Sequence, residues 1–148
     1  MLVAVTDLTQ RLMSLVALLA VCGIAVSSVS LQHHYATSKT AYCDIGGTFN
    51  CDIVNRSEYS SILGIPVALI GMLGYAALAG LATVYRARRE TPAVLFGAAA
   101  AGLAFALYLT YIEGHVLGVW CILCLSSLAL IATTTILAAV IWWRGSSQ

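Results

Sequence analysis

Four cysteines in two pairs are the residues of this chain best suited to chemistry. Cys121-Ile122-Leu123-Cys124 opens the last long apolar segment, and Cys43 and Cys51 flank Asp44-Ile45-Gly46-Gly47-Thr48-Phe49-Asn50. On a helix, residues three apart share a face with Cα atoms roughly 5 Å apart, inside the window for a disulfide, so Cys121 and Cys124 can join and part with little backbone movement. A helix N-terminus also favours the thiolate, the form that attacks disulfides. Gly46-Gly47 permits a tight bend that could bring Cys43 to Cys51. Packing alone could explain two small cysteines in an apolar bundle. The placement of all four argues for redox chemistry instead.

That placement follows from the rest of the chain. With 61% hydrophobic residues, 9% charged residues and a mean hydropathy of +0.94, the 148 residues cannot hide their apolar surface as a soluble domain. The pattern predicts an all-α integral membrane protein of one domain over residues 1–148, a four-transmembrane-helix bundle with spans over about 12–31, 65–85, 93–112 and 116–143. A long extracytoplasmic loop over about 32–64 holds a short interfacial helix, Asp52–Leu63, which Asp52 could cap. A net charge of +1 carries no signature of nucleic-acid binding.

The first apolar run is longer than a usual signal-peptide core, and Val21 is larger than the small residue expected before a lipidated cysteine, so Cys22 reads as a small buried apolar residue within a span. His33-His34 reads as an interfacial pair rather than a metal site, because adjacent side chains point in different directions. Pro66 fits the first turn of the second span, whose small residues from Gly71 to Gly80 permit close helix contact. Glu113-Gly114-His115 reads as a solvated tight turn; proton transfer to the neighbouring cysteines is the alternative role for its acid and its histidine. Trp142-Trp143 marks the far interface of the fourth span.

Charge sets the orientation. With four spans, Arg11, Arg86, Arg88, Arg89 and Arg144 share one side and only Lys39 and Arg56 the other, which puts both termini in the cytoplasm. Cys43, Cys51, Cys121 and Cys124 then all face the extracytoplasmic side of the plasma (bacterial inner) membrane, where disulfides persist. Two thiol pairs there describe a relay, with a polar loop pair open to partners and an embedded pair flanked by Trp120, Ile122, Leu123 and Leu125. An embedded dithiol needs a lipid-soluble redox partner. A quinone, whether ubiquinone, menaquinone or a relative, takes the two electrons and two protons that a dithiol loses.

Taken together, Cys43-Asp44-Ile45-Gly46, Cys51, Ser57 and Cys121-Ile122-Leu123-Cys124, in this order and spacing, resemble the vitamin K epoxide reductase family, its bacterial homologues above all. The resemblance covers nearly the whole chain. It implies a four-helix bundle around a quinone pocket, capped by the loop and its horizontal helix, and a partner with a thioredoxin-like (DsbA-like) fold. Residue by residue, it makes Cys43 and Cys51 the outer pair, Cys121 and Cys124 the active-site pair, and Ser57 a hydrogen-bond donor to a quinone oxygen. Cys124 would face the quinone and Cys121 would exchange with a loop cysteine; Cys51 is the favoured one, with Cys43 meeting the partner, and the reverse assignment stays open. Vertebrate members that reduce the epoxide carry Thr-Tyr where this chain has Ser127-Leu128, which weakens an epoxide-reducing role. Many bacterial relatives carry a fused thioredoxin-like domain, whereas this chain stops just after its fourth span, so the expected partner is a separate protein.

The function expected is therefore a quinone-dependent membrane thiol oxidoreductase that reoxidises a thioredoxin-like disulfide donor. Vitamin K quinone or epoxide reduction and a disulfide-stapled structural tetraspan protein are the alternatives. A disulfide oxidase of the DsbB type would carry its Cys-x-x-Cys in the first outer loop, and a four-thiolate metal site is disfavoured by the Cys43–Cys51 spacing and the oxidising side.

Overall fold

The structure, a computed structural model, describes residues 2–37 and 43–146; Lys39 of the charge argument lies outside them. Four long helices carry the fold. The first, α1 (Leu2–Tyr35), has 34 residues and, at 1.5 Å per residue, runs about 51 Å. That exceeds the roughly 30 Å apolar layer of a bilayer. Its last turn carries His33 and His34 past the 12–31 limits of the expected span, and together with Ser30 they meet the loop.

The loop folds into small pieces. Strands β1 (Asp44–Ile45) and β2 (Phe49–Asn50) pair antiparallel across Gly46-Gly47, whose φ values of 64° and 74° are those that glycine adopts without steric cost. The expected Asp52–Leu63 helix is cut short. Instead α2 (Cys51–Arg56) gives way to a 3₁₀ turn, Glu58–Ser60, and to a second hairpin of β3 (Ser61–Ile62) and β4 (Ile65–Pro66). Asn50 rather than Asp52 caps α2, its side chain accepting the Ile53 N–H at 3.0 Å. Asp52 is drawn instead to His33 at 3.0 Å and Arg56 at 3.8 Å.

Because Pro66 belongs to β4, it stands before the next helix, α3 (Val67–Thr83), rather than in its first turn. A turn through Arg86, Arg88 and Arg89 leads to α4 (Thr91–Ile112), with Pro92 in its first turn, where the missing N–H costs nothing. A π-helical turn, Glu113–Leu117, continues α4 and ends at Gly118 with φ 65°. The last helix, α5 (Ile122–Ser146), therefore starts at Ile122 and not near residue 116, because the chain through Trp120 is extended and pairs with Phe49.

Helix α1 packs on α3 and α5, and α4 packs on α5. Val16 and Ala20, Tyr75 and Leu78, Leu95 and Ala99, and Ile131 and Ala138 meet in the core. Large apolar side chains such as Leu18, Leu73, Leu107 and Ile136 face outward, which only lipid would favour. Among the described residues, three helices are long and apolar enough to cross a membrane, and α3, at 17 residues, reaches the short end of that range. The protein is an all-α membrane protein. Cys22, expected in the interior, is exposed on the outside of the bundle.

One close approach sets the spacing of α1 and α3. A Cβ on Gly23 would clash with the Tyr75 ring, which cannot swing away because its hydroxyl donates to the Ser127 carbonyl at 2.8 Å and lies 3.0 Å from the Ser127 hydroxyl. Gly23→Val is expected to lower stability by about 1–3 kcal/mol, read as a lower unfolding midpoint in detergent. Gly97→Ala, whose new methyl meets nothing within 4 Å, is the control and is expected to be neutral or slightly stabilising.

Candidate functional site

All four redox candidates gather where the loop meets the start of α5. Cys43 and Cys51 are joined as a disulfide with Cα atoms 5.6 Å apart, while Cys121 and Cys124 are free thiols. The loop pair is not open to solvent as its polar setting led us to expect. Cys43, Cys51 and Cys121 are buried together with Val54 in one small cluster, against which Leu117, Val119, Leu123 and Cys124 pack. Backbone pairing explains the burial. Trp120 N–H donates to the Thr48 carbonyl at 2.9 Å and Asn50 N–H to the Trp120 carbonyl at 3.0 Å, so the loop is fastened to the residue before Cys121.

Cys121 caps α5. Its carbonyl accepts the first helical hydrogen bond, from Leu125 N–H at 2.9 Å, and its sulfur accepts the Cys124 N–H at 3.4 Å. That is the arrangement in which an N-cap side chain meets a free N–H of the first turn, here with sulfur in place of oxygen. Asn55 Nδ2 approaches the same sulfur at 3.7 Å and also donates to the Cys51 carbonyl at 2.9 Å, which ties the loop disulfide to the inner pair. Asn55 Oδ1 accepts from the Ser30 hydroxyl, so the buried amide is held at both ends. A hydrogen bond from the Cys124 side chain holds the Cys121 thiol below its ordinary pKa, against burial and the Glu113 charge.

Two histidines hold α2 over the bundle. His33 is buried and donates to Asp52, and His34 Nδ1 donates to the Asn55 carbonyl at 2.6 Å. They clamp the loop to α1, and sequence adjacency serves this because each reaches a different residue of α2. Asn55 and His34 carry no sequence signal that separates them from loop residues. Glu113 does: it is the sole acid beyond Glu90, in a long apolar stretch. Instead of being solvated it is 2% exposed, and its Oε2 accepts the Cys121 N–H at 3.1 Å. His115 turns away and stacks on Tyr111 with ring centroids 4.4 Å apart.

Beneath α2 lies a cavity of about 410 Å³ walled by α1, α3, α4 and α5. Its lining is mostly apolar, with Val26, Leu78, Phe105 and Ile131 among it, and its polar residues include His34, Asn55, Ser57, Ser60, Glu113 and Cys124. Size and lining suit a flat apolar ring bearing a few polar atoms. Ser57 lies on the cavity wall, and its hydroxyl donates to the Val54 carbonyl at 2.8 Å, ending α2.

The sulfur network generates a pH prediction. With the loop disulfide intact, alkylation of Cys121 by a small reagent is expected to rise to its plateau at lower pH than for an ordinary thiol. In Cys124→Ala, which loses the donor that lowers the Cys121 pKa most, the profile should move to higher pH; a profile that stays in place would contradict the network.

The cysteine order read from the sequence, the gathering of both pairs at one end of an apolar bundle and the cavity beside Cys124 now stand together. A model of the vitamin K epoxide reductase family matches residues 14–139, which takes in α3, α4, most of α1 and α5, and all four of these cysteines. This chain belongs to the vitamin K epoxide reductase family.

Proposed function

We propose that this protein is a quinone-dependent membrane thiol oxidoreductase that reoxidises a thioredoxin-like disulfide donor. Its four long helices all cross the membrane, both termini are cytoplasmic and the cysteine loop is extracytoplasmic. One observation carries the reading: a closed loop disulfide is packed against a free dithiol whose second member, Cys124, lines an apolar cavity. A structural staple has no use for a reduced pair capping a helix beside such a cavity.

The reduced donor attacks the loop disulfide, with Cys43 as the point of encounter, since the segment Asp44–Gly47 that follows it is exposed. With the inner pair in its disulfide form, Cys51 then attacks Cys121, the sulfur to which Asn55 connects it, releasing Cys124, and Cys43 displaces Cys121 by closing on Cys51 to restore the loop disulfide. This leaves Cys121 as a thiolate held by the Cys124 N–H and Asn55, and Cys124 facing the cavity. A quinone bound there takes the electron pair as the Cys121–Cys124 disulfide re-forms. His34, Asn55 and the Ser57–Ser60 turn orient it from the loop side, Ser57 by turning its hydroxyl from Val54 to a quinone oxygen. The apolar wall keeps water from the dithiol.

The test is anaerobic loss of a short-chain ubiquinone or menaquinone in detergent, driven by a reduced thioredoxin-like donor. Turnover is expected in the wild type and only background loss in Cys124→Ala. If no quinone is consumed and the four cysteines stay inert toward the donor, the reading falls and a disulfide-stapled structural protein takes its place.

A further inference from the structure

The buried carboxyl of Glu113 has no counter-ion. Among the described residues, ion pairs are Asp7 with Arg11, His33 with Asp52 and Arg56 with Asp52, and none reaches Glu113. Its Oε2 is fixed by the Cys121 N–H, while Oε1 is buried without a hydrogen bond. Such an oxygen is costly to leave as an anion and costly to leave unpaired, unless a proton comes and goes there. The thiol able to supply that proton lines the same cavity: it is Cys124, whose N–H meets the sulfur of Cys121, the residue whose own N–H Glu113 accepts. Among the described residues, the other titratable groups facing this space are Cys121 from the start of α5, His34 of α1, Tyr59 of the loop and Tyr75 of α3, and no Lys or Arg lines the cavity.

We propose that Glu113 is the general acid and base for Cys124, holding a proton on Oε1 while the inner pair is a disulfide and giving it to the Cys124 sulfur when that disulfide opens. When the Cys51 thiolate attacks Cys121, the Cys121–Cys124 bond breaks, a Cys51–Cys121 bond forms, and the Cys124 sulfur leaves with the Glu113 proton. Cys43 thiolate then displaces Cys121 as a thiolate. On oxidation the Cys121 thiolate bonds to Cys124, the Cys124 proton returns to Oε1 and the electron pair passes to the quinone. The two protons that the loop thiols released to solvent equal the two that the quinone oxygens take from solvent at the polar lip of the cavity. The carboxyl ends the cycle as it began. The same Glu113 holds the Cys121 N–H through Oε2, so the proton carrier is fixed to the backbone of the residue under attack.

The final fate of the electrons rests on the proposed function, but the proton on Glu113 does not. The experiment is an infrared difference spectrum of the quinone-free protein with its inner pair oxidised and then reduced, for wild type and Glu113→Gln. The glutamine keeps an acceptor for the Cys121 N–H and cannot carry the proton. A carboxylic-acid carbonyl band that appears in the disulfide state, disappears on reduction and is missing in Glu113→Gln supports the assignment. In the same variant, donor-driven quinone turnover should fall on the order of 10²-fold, with loss of a carboxyl ionisation from its pH profile. No redox-dependent carboxyl band in the wild type overturns the assignment, as does a Glu113→Gln protein that turns over at the wild-type rate and pH profile. A wild type that shows the band but consumes no quinone overturns the proposed function and leaves the proton acceptor supported.

Discussion

Two backbone hydrogen bonds, Trp120 N–H to Thr48 and Asn50 N–H to Trp120, hold the polar loop on the start of α5, and the mutual geometry of Cys43, Cys51, Cys121 and Cys124 depends on them. Without that join the loop would be a long polar connection, its disulfide unrelated in space to the inner pair. With it, Cys51 follows directly from the strand that pairs and Cys121 directly from the residue it pairs with. The same extended stretch also delays the start of α5 until Ile122, which turns Cys121 into its cap. A helix that began several residues earlier would have spent the Cys124 N–H on an ordinary carbonyl and left the sulfur without its donor.

The surroundings follow from solvent. An apolar bundle in lipid gains little from burying one apolar side chain against another, so its specificity comes from close contact and from satisfied polar groups. Gly23 against Tyr75 is such a contact, and Tyr75 bonded to Ser127 is such a polar pair. At the other end, His33 with Asp52, His34 with the Asn55 carbonyl and Ser30 with the Asn55 side chain bind α1 to α2. These polar links hold α2 over the mouth of the cavity, where a sheltered ring would lie between Cys124 and the loop.

Much of this was legible in the sequence because membranes impose strong rules. Apolar runs near 20 residues declared the helices, and cysteine spacing declared the chemistry. What stayed hidden depended on contacts distant in the chain. Leu31 looked like the end of α1, but the partners of His33 and His34 lie 19 and 21 residues further on, and they carry the helix to Tyr35. Asp52 looked like a cap by type, yet Asn50 took that place once β2 set the turn. Glu113 looked solvated beside Gly114 and His115, and only the fold of the π-helical turn brings it beneath the Cys121 N–H. Its standing as the sole acid after Glu90, in a long apolar stretch, was a signal pointing the other way.

The central claim is that Cys51 and Cys121 exchange with each other directly. Its most direct measurement is peptide mapping by mass spectrometry of Cys43→Ala/Cys124→Ala, in which the loop and the inner site keep one thiol each, after mild oxidation in detergent. The account predicts an intramolecular Cys51–Cys121 disulfide as the main product, and much less cross-link in Cys51→Ala/Cys124→Ala, which retains Cys43 and Cys121. A Cys51–Cys121 pair that stays as free thiols, or a Cys43–Cys121 bond formed as readily, would contradict it.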